Sequence, residues 1–293
     1  MIILGKNISV IGGDLRIVKL VELLAKDNYT VFIYALEGAE SLTKLNNVIP
    51  INNIKELAEK SKVIIGPIPL SSNKKDINTP FSDKTISLNE LYDNLNENLF
   101  IAGSINKEIT EQFEKRNIKV VDLLNREELA VLNTISTAEG AIQIAIEQTY
   151  KTLHNSNVLI LGFGRIGKIL AKMLTGIGAK VSCEARKDAD LAWIKAYGYN
   201  PIHINDLEKE INKFDIIMNT IPSMILNKER LNLIERDCLI IDLASAPGGV
   251  DREYAKENDI KVIWALSLPG KVAPITSAEF IKETIYNILK EQK

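Results

Sequence analysis

The sequence predicts an α/β protein made of two Rossmann-like, doubly wound parallel-sheet domains joined by a long linker helix. Three observations carry this expectation. Short β-branched runs alternate with amphipathic stretches along the whole chain, the pattern of successive βαβ units. Two of those runs end in glycine turns that open a helix, at Gly12–Gly13 and, with the spacing G-x-G-x-x-G, at Gly162–Gly167. A length of 293 residues also exceeds the ~100–200 residues of a typical single domain.

The chain opens at Asn7–Gly13 (NISVIGG), a β-branched run ending in two glycines. An amphipathic stretch, Leu15–Lys26, and a second run, Thr30–Tyr34, complete strand, turn, helix and strand. Further strands are expected at Lys62–Ile65, Leu99–Ala102 and Lys119–Val121, with helical patterns between several of them. Ser71–Lys84 is polar and carries Pro80, so it reads as a loop. The first α/β domain therefore covers residues 1–125. Arg126–Leu153, rich in Ala, Ile, Leu and Glu, reads as the linker helix over 126–153. Ser136 and Gly140 weaken it, and a break or bend is expected near them.

The second domain, 154–273, starts at Asn157–Leu161 (NVLIL), a near-continuous apolar strand of the kind buried on both faces. Strands follow at Lys180–Glu184, Tyr199–Ile202, Asp215–Asn219, Leu239–Asp242 and Lys261–Trp264. Helices are expected at Arg165–Thr175, Ala189–Tyr197 and Arg252–Glu257. Within the last segment, 274–293, the stretch Ser277–Lys290 is amphipathic and should pack back on the first domain.

Composition excludes several function classes. Lys and Arg total 36 against 38 Asp and Glu, so no basic excess exists to bind nucleic acid or an anionic membrane. Cys183 and Cys238 fall inside expected strands and read as buried reduced thiols rather than a disulfide. The start, Met1–Lys6, lacks a charged segment followed by an apolar core, and no apolar run approaches the ~20 residues of a membrane span. A cytoplasmic protein is expected.

The motif Gly162-Phe163-Gly164-Arg165-Ile166-Gly167 has the context that gives it weight, a buried strand before it and a helix after it. Gly162 permits the tight turn, Gly164 lets a pyrophosphate approach the backbone, and Gly167 lets the helix pack on the strand. Arg165 and Ile166 lie in the same first turn, whose amides face the phosphates. The bland alternative is a glycine turn without a ligand. At the end of the next strand, Glu184 is available to accept ribose hydroxyls, as an NAD site requires. Strand alignment instead puts Ala185 at the acidic position, with Arg186 and Lys187 beside it, which suits a 2′-phosphate. NADP is the expected cofactor and NAD the alternative.

Three more stretches fall at carboxyl-terminal strand ends, where such folds bind ligands: Asn219–Pro222, including Thr220 and Pro222, Asp242–Gly249, and Leu266–Pro274. His154 and His203 both lie away from the sixth strand, where a 2-hydroxy-acid dehydrogenase would need an imidazole. No metal-ligand spacing, nucleophile elbow or Walker loop is present, so no metal is expected. In the first domain Asp14 is placed to cap its helix, and Arg16 to reach an anion at that helix end. A cleft with cofactor at one helix end and substrate at the other favours an anionic substrate.

The strings IGGDLR (11–16), STAEGAI (136–142), LGFGRIGK (161–168), NTIPSMIL (219–226), DLASAPGG (242–249) and LPGKVAP (268–274) closely resemble the dipicolinate synthase A-subunit family of endospore-forming bacteria. The resemblance runs in order over nearly the whole chain. It implies oxidation of dihydrodipicolinate to dipicolinate with a nicotinamide cofactor, alongside a flavoprotein-like B-subunit, in the mother-cell cytoplasm during sporulation. Two positions depart from the family pattern: Ser136 stands where Pro is usual, and Ile275 where Lys is usual. On this reading Gly13, Asp14 and Arg16 bind one substrate carboxylate, and Thr137 and Ser245 donate hydrogen bonds. Lys271 pairs with the second carboxylate, and Glu139 is the candidate base. A homo-oligomer is compatible with the sequence. The rival readings are another NADP-dependent dehydrogenase of a small anion, shikimate-dehydrogenase-like, and a cofactor-binding scaffold inactive without its partner.

Overall fold

The computed structural model describes residues 6–292, so the reading of Met1–Gly5 as lacking a leader lies outside it. The chain divides into two compact units, Met1–Ala130 with Ala273–Lys293, and Val131–Val272.

The first unit holds β1 (Asn7–Ile11), α1 (Leu15–Lys26), β2 (Thr30–Tyr34), β3 (Val48–Pro50), α2 (Ile54–Lys60), β4 (Val63–Ile65), α3 (Leu88–Asn94), β5 (Leu99–Ala102), α4 (Lys107–Lys115) and β6 (Lys119–Asp122). All strand pairs are parallel, in the order β3-β2-β1-β4-β5-β6. Both faces are covered, which is why the strands read as unbroken apolar runs. Ile8, Val10, Val31 and Ile65 face α1 and the C-terminal helix, whereas Phe32, Ile64 and Phe100 face α2, α3 and α4. Asn53, Ser87 and Asn106 each cap one of those three helices by accepting a backbone N–H.

α5 (Glu127–Gln148) is a continuous helix of 22 residues. The expected break at Ser136 and Gly140 is absent. Gly140 is instead a point of close approach: a side chain there would bring its first carbon 3.1 Å from the Leu268 side chain. The helix stops at Gln148, five residues before the expected end at Leu153. By length and composition it is apolar enough to cross a membrane, contrary to the sequence expectation, with a mean hydropathy of 1.3. Its Ala138, Ala141, Ile142 and Ala145 are nevertheless buried in the core of the second unit.

That unit continues with β7 (Asn157–Leu161), α6 (Arg165–Ile177), β8 (Lys180–Ala185), α7 (Asp188–Ala196), β9 (Asn200–His203), α8 (Leu207–Glu210), β10 (Ile216–Asn219), α9 (Lys228–Leu231), β11 (Leu239–Asp242), α10 (Arg252–Glu257), β12 (Val262–Trp264) and α11 (Leu268–Val272). Its sheet is again fully parallel, in the order β12-β11-β10-β7-β8-β9. β3, α8, α9 and α11 were not expected. β3 spans three residues, too few for a period to register, and α11 contains Pro269 and Gly270, which read as a loop. α12 (Pro274–Glu291) starts on a proline, suited to a first helical turn, and buries Ala278, Ile281, Ile285 and Ile288 against α1 in the first unit.

Candidate functional site

In the second unit β7 ends at Leu161, and the chain turns through Gly162 at φ +90°, a left-handed conformation that favours glycine. A side chain at Gly167 would set its first carbon 2.2 Å from the Gly162 carbonyl oxygen, so only glycine lets α6 pack down on the turn. Thr220, at the end of β10, donates its hydroxyl to the Leu161 carbonyl at 2.9 Å and braces the turn from below. Gly164 caps α6 without a side-chain hydrogen bond, and nothing lies within 4 Å of where its side chain would begin. The start of α6 therefore carries no side-chain cap, and space is open where a Gly164 side chain would begin. Helix starts of this kind suit anions, because the N–H groups of a helix's first turn and the helix dipole point the same way. Arg165 is exposed and Ile166 half-buried in this first turn.

β8 runs beside β7 and ends in Glu184 and Ala185, both buried. Arg186 and Lys187 follow, both exposed and with no ion-pair partner among the described residues, so two cations stand open at this strand end. Glu184 is only 1% exposed, and neither of its carboxyl oxygens has a hydrogen-bond partner. Burial pushes its carboxyl above the usual carboxylate range, while the Gly162 amide and the cations Arg186 and Arg230 pull the other way. The Gly162 amide lies near it, yet short of hydrogen-bond geometry.

β10 and β11 end in a buried polar pair. Asn219 Nδ2 donates to Asp242 Oδ1 at 2.8 Å and to the Ile221 carbonyl at 3.0 Å. Asp242 also accepts from the amides of Ala244 at 3.2 Å and Gly249 at 3.0 Å. Both residues are fully buried. Their network closes the loop after β11 and leaves Ser245, Ala246 and Pro247 exposed at its tip, with a cis bond before Pro247. Pro222 is likewise exposed on the loop after β10. The sequence marked both stretches. It gave no sign that Asn219 and Asp242 bond each other, since pairing across strands leaves no local pattern.

The corresponding turn of the first unit is occupied by the protein itself. Asp14 caps α1 by accepting the Arg16 amide at 3.0 Å. Arg16 is buried, with its Nε and Nη2 on the Asp14 carboxylate and Nη2 also on the Ile68 carbonyl. The Gly13 amide donates to the Asn78 carbonyl at 2.9 Å, so the 71–84 loop seals the turn. The Gly13 amide and the Arg16 Nε and Nη2 groups, which the sequence reading assigned to a substrate carboxylate, are thus engaged in internal bonds.

The other candidates are dispersed. Thr137, on α5, donates its hydroxyl to the Asn133 carbonyl at 2.8 Å. Glu139 is exposed and lines a groove with Ile142, Ile146, Met173 and Ile177, near the last turns of α6 and not at the glycine turn. Lys271 is exposed on α11. Cys183 and Cys238 are buried and unpaired, their thiols pushed up to about 12 chiefly by burial. His203 accepts the Asn205 amide at 3.2 Å, a capping role.

Comparison with known proteins gives consistent matches. The family model for the N-terminal domain of the dipicolinate synthase A-subunit matches residues 7–124. That for the NAD-binding domain of D-isomer specific 2-hydroxyacid dehydrogenases matches residues 130–253. The dipicolinate synthase A-subunit of Bacillus subtilis (strain 168) is 33% identical over 98% of this chain and 97% of its own length. The crystal structure of the B. subtilis A-subunit superposes with a TM-score of 0.89 at 32% identity, covering 99% of this chain and 97% of that one. The crystal structure of the Bacillus halodurans A-subunit gives 0.90 at 30% identity, covering 99% of both chains.

Proposed function

Because the chain belongs to the dipicolinate synthase A-subunit family, we propose that it oxidises dihydrodipicolinate to dipicolinate, with NADP held on its second unit. The observation that carries the cofactor reading is the α6 N-terminus, uncapped and open at Gly164. There Gly162, Gly164, Arg165, Ile166 and Gly167 would line the pyrophosphate, Arg186 and Lys187 the 2′-phosphate, and Thr220 and Pro222 the nicotinamide side of the edge. These residues fit the group: Gly162 and Gly167 stand where a side chain would be strained or would clash, Gly164 leaves the helix start open, and two exposed cations stand at the next strand end with no ion-pair partner among the described residues. When bound, the nicotinamide supplies a hydride acceptor.

The chain's own residues then have a limited chemical task. Aromatising the dihydropyridine ring removes one hydride and one proton, and gaining an aromatic ring makes this downhill. Orientation and charge pairing are the main demands, and a dedicated histidine base is not one of them. Ser245, on its loop tip, and Lys271 are exposed donors for the substrate carboxylates. Thr137 is a weaker candidate, since its hydroxyl hydrogen is already given to Asn133. Arg16 already has Nε and Nη2 on Asp14 and Ile68, so Nη1 is the donor it would turn to a carboxylate, with Gly13 and Asp14 beside it, and Arg16→Ala should raise the substrate KM. Glu139 opens on a different groove, and the proton is released to solvent instead. The family reading extends to a B-subunit partner and to the mother cell of a sporulating bacterium.

The test is reduced-nicotinamide formation by this chain alone, with dihydrodipicolinate generated in situ and NADP or NAD supplied. Turnover by the chain alone supports the proposal. Cofactor binding with no turnover until the B-subunit is supplied would make the chain a cofactor-binding scaffold.

A further inference from the structure

Few described side-chain atoms are buried without a hydrogen-bond partner, and two of them are the carboxyl oxygens of Glu184. The residue sits at the carboxyl end of β8, one position before Ala185 and two before Arg186. In register it lies between Leu161 of β7 and Ile202 of β9, both fully or nearly fully buried, so its flanks in the sheet are apolar. The ionisable groups that face it are Arg186 beyond the strand, His203 at the end of β9 and Arg230 on α9. None of them touches it. Arg230 is committed to Glu208 and to the Ile225 carbonyl, and His203 to the Asn205 amide. A carboxylate enclosed in this way has no partner to offset its lost hydration, so enclosure shifts the balance toward the neutral acid relative to an exposed glutamate.

This strand end is where dinucleotide folds distinguish a free ribose hydroxyl from a 2′-phosphate, by an acid or by a cation respectively. The chain carries both, Glu184 inside and Arg186 with Lys187 outside. From that juxtaposition we infer that Glu184 determines cofactor specificity through its proton. As a neutral acid it leaves the cations free to hold a 2′-phosphate, and as a carboxylate it repels that phosphate and weakens NADP relative to NAD. The inference rests on the dinucleotide reading of the second unit. Its sign is fixed: preference for NADP falls as pH rises.

The 2′-phosphate itself gains charge above about pH 6 and works in the opposite direction, so a neutral isostere supplies the baseline. Dissociation constants of NADP and NAD are measured by calorimetry on the full chain and on Glu184→Gln, between about pH 6 and pH 9. The expected result is a NADP/NAD preference that falls about tenfold in the native chain relative to the glutamine variant across that range. Infrared spectra of the native chain supply a readout that needs no variant and no cofactor. A protonated-carboxyl band should persist at neutral pH, shift on NADP binding and be missing from Glu184→Gln. Parallel preference curves for the two proteins, or no such band at neutral pH, would overturn the inference while leaving the cofactor site intact. Binding of neither dinucleotide at any pH would remove the reading beneath it, and the inference with it.

Discussion

In the first unit the fourth and fifth strands, β4 and β5, end on Ile65 and Ala102, while in the second the fourth and fifth strands, β10 and β11, end on Asn219 and Asp242. The turn after β1 is closed by Asp14 and by Asn78, whereas the turn after β7 leads to a helix with no side-chain cap. Strand order is the same in both sheets, read from the first strand outward. The difference teaches that the doubly wound topology supplies a place for a nucleotide and the residues at the strand ends decide whether it is open. An Asp at the cap consumes the donors and puts negative charge where a phosphate would go, and a glycine leaves both available.

The sharpest way to break this comparison is Gly167→Ala. Its new carbon would meet the Gly162 carbonyl oxygen, forcing α6 away from the turn, and dinucleotide affinity should fall by about 100-fold or more in a calorimetric titration. Asp242→Ala comes next. It removes one of the two acceptors of the Asn219 amide and leaves the backbone N–H groups of Ala244 and Gly249 without theirs, costing about 3 to 5 kcal/mol in urea unfolding. Asp14→Ala removes a helix cap and the partner of a buried arginine. It should cost about 2 kcal/mol of stability and leave dinucleotide affinity unchanged.

Glu184→Gln sharpens the comparison in the opposite direction, toward stability. A carboxyl whose folded pKa is raised contributes fully below its unfolded value, and that contribution is lost as pH rises through the folded one. The variant should therefore melt higher than the native chain in mildly alkaline buffer and gain less in acid, as read by thermal unfolding at the two pH values. The smallest effect belongs to Asp27, whose carboxyl is held below its ordinary value by hydrogen bonds from Lys282 and Tyr286 of α12. It is partly exposed, so Asp27→Asn should cost no more than about 0.5 kcal/mol and lose even that in high salt.

Much of this contrast was legible in the residues. NVLIL followed by GFGRIG specified strand, turn and helix because apolar period, glycine spacing and helix start all agree locally. The α1 turn was legible only as far as Asp14: the sealing partners, Ile68 and Asn78, come from a loop more than fifty residues away. Gly140 was misread for the same reason, since its function is set by Leu268, distant in sequence. Glu184 was noticed as an acid near the expected position. Its lack of partners is set by its neighbours in the sheet, Leu161 and Ile202, which are distant in sequence and apolar.

The number of dinucleotides bound per chain tests the central claim most directly, measured by calorimetric titration of the intact chain with NADP. The account predicts one per chain, abolished by Gly167→Ala and retained with the same affinity in Asp14→Ala. Two per chain, or a single site lost with Asp14→Ala and kept with Gly167→Ala, would contradict it.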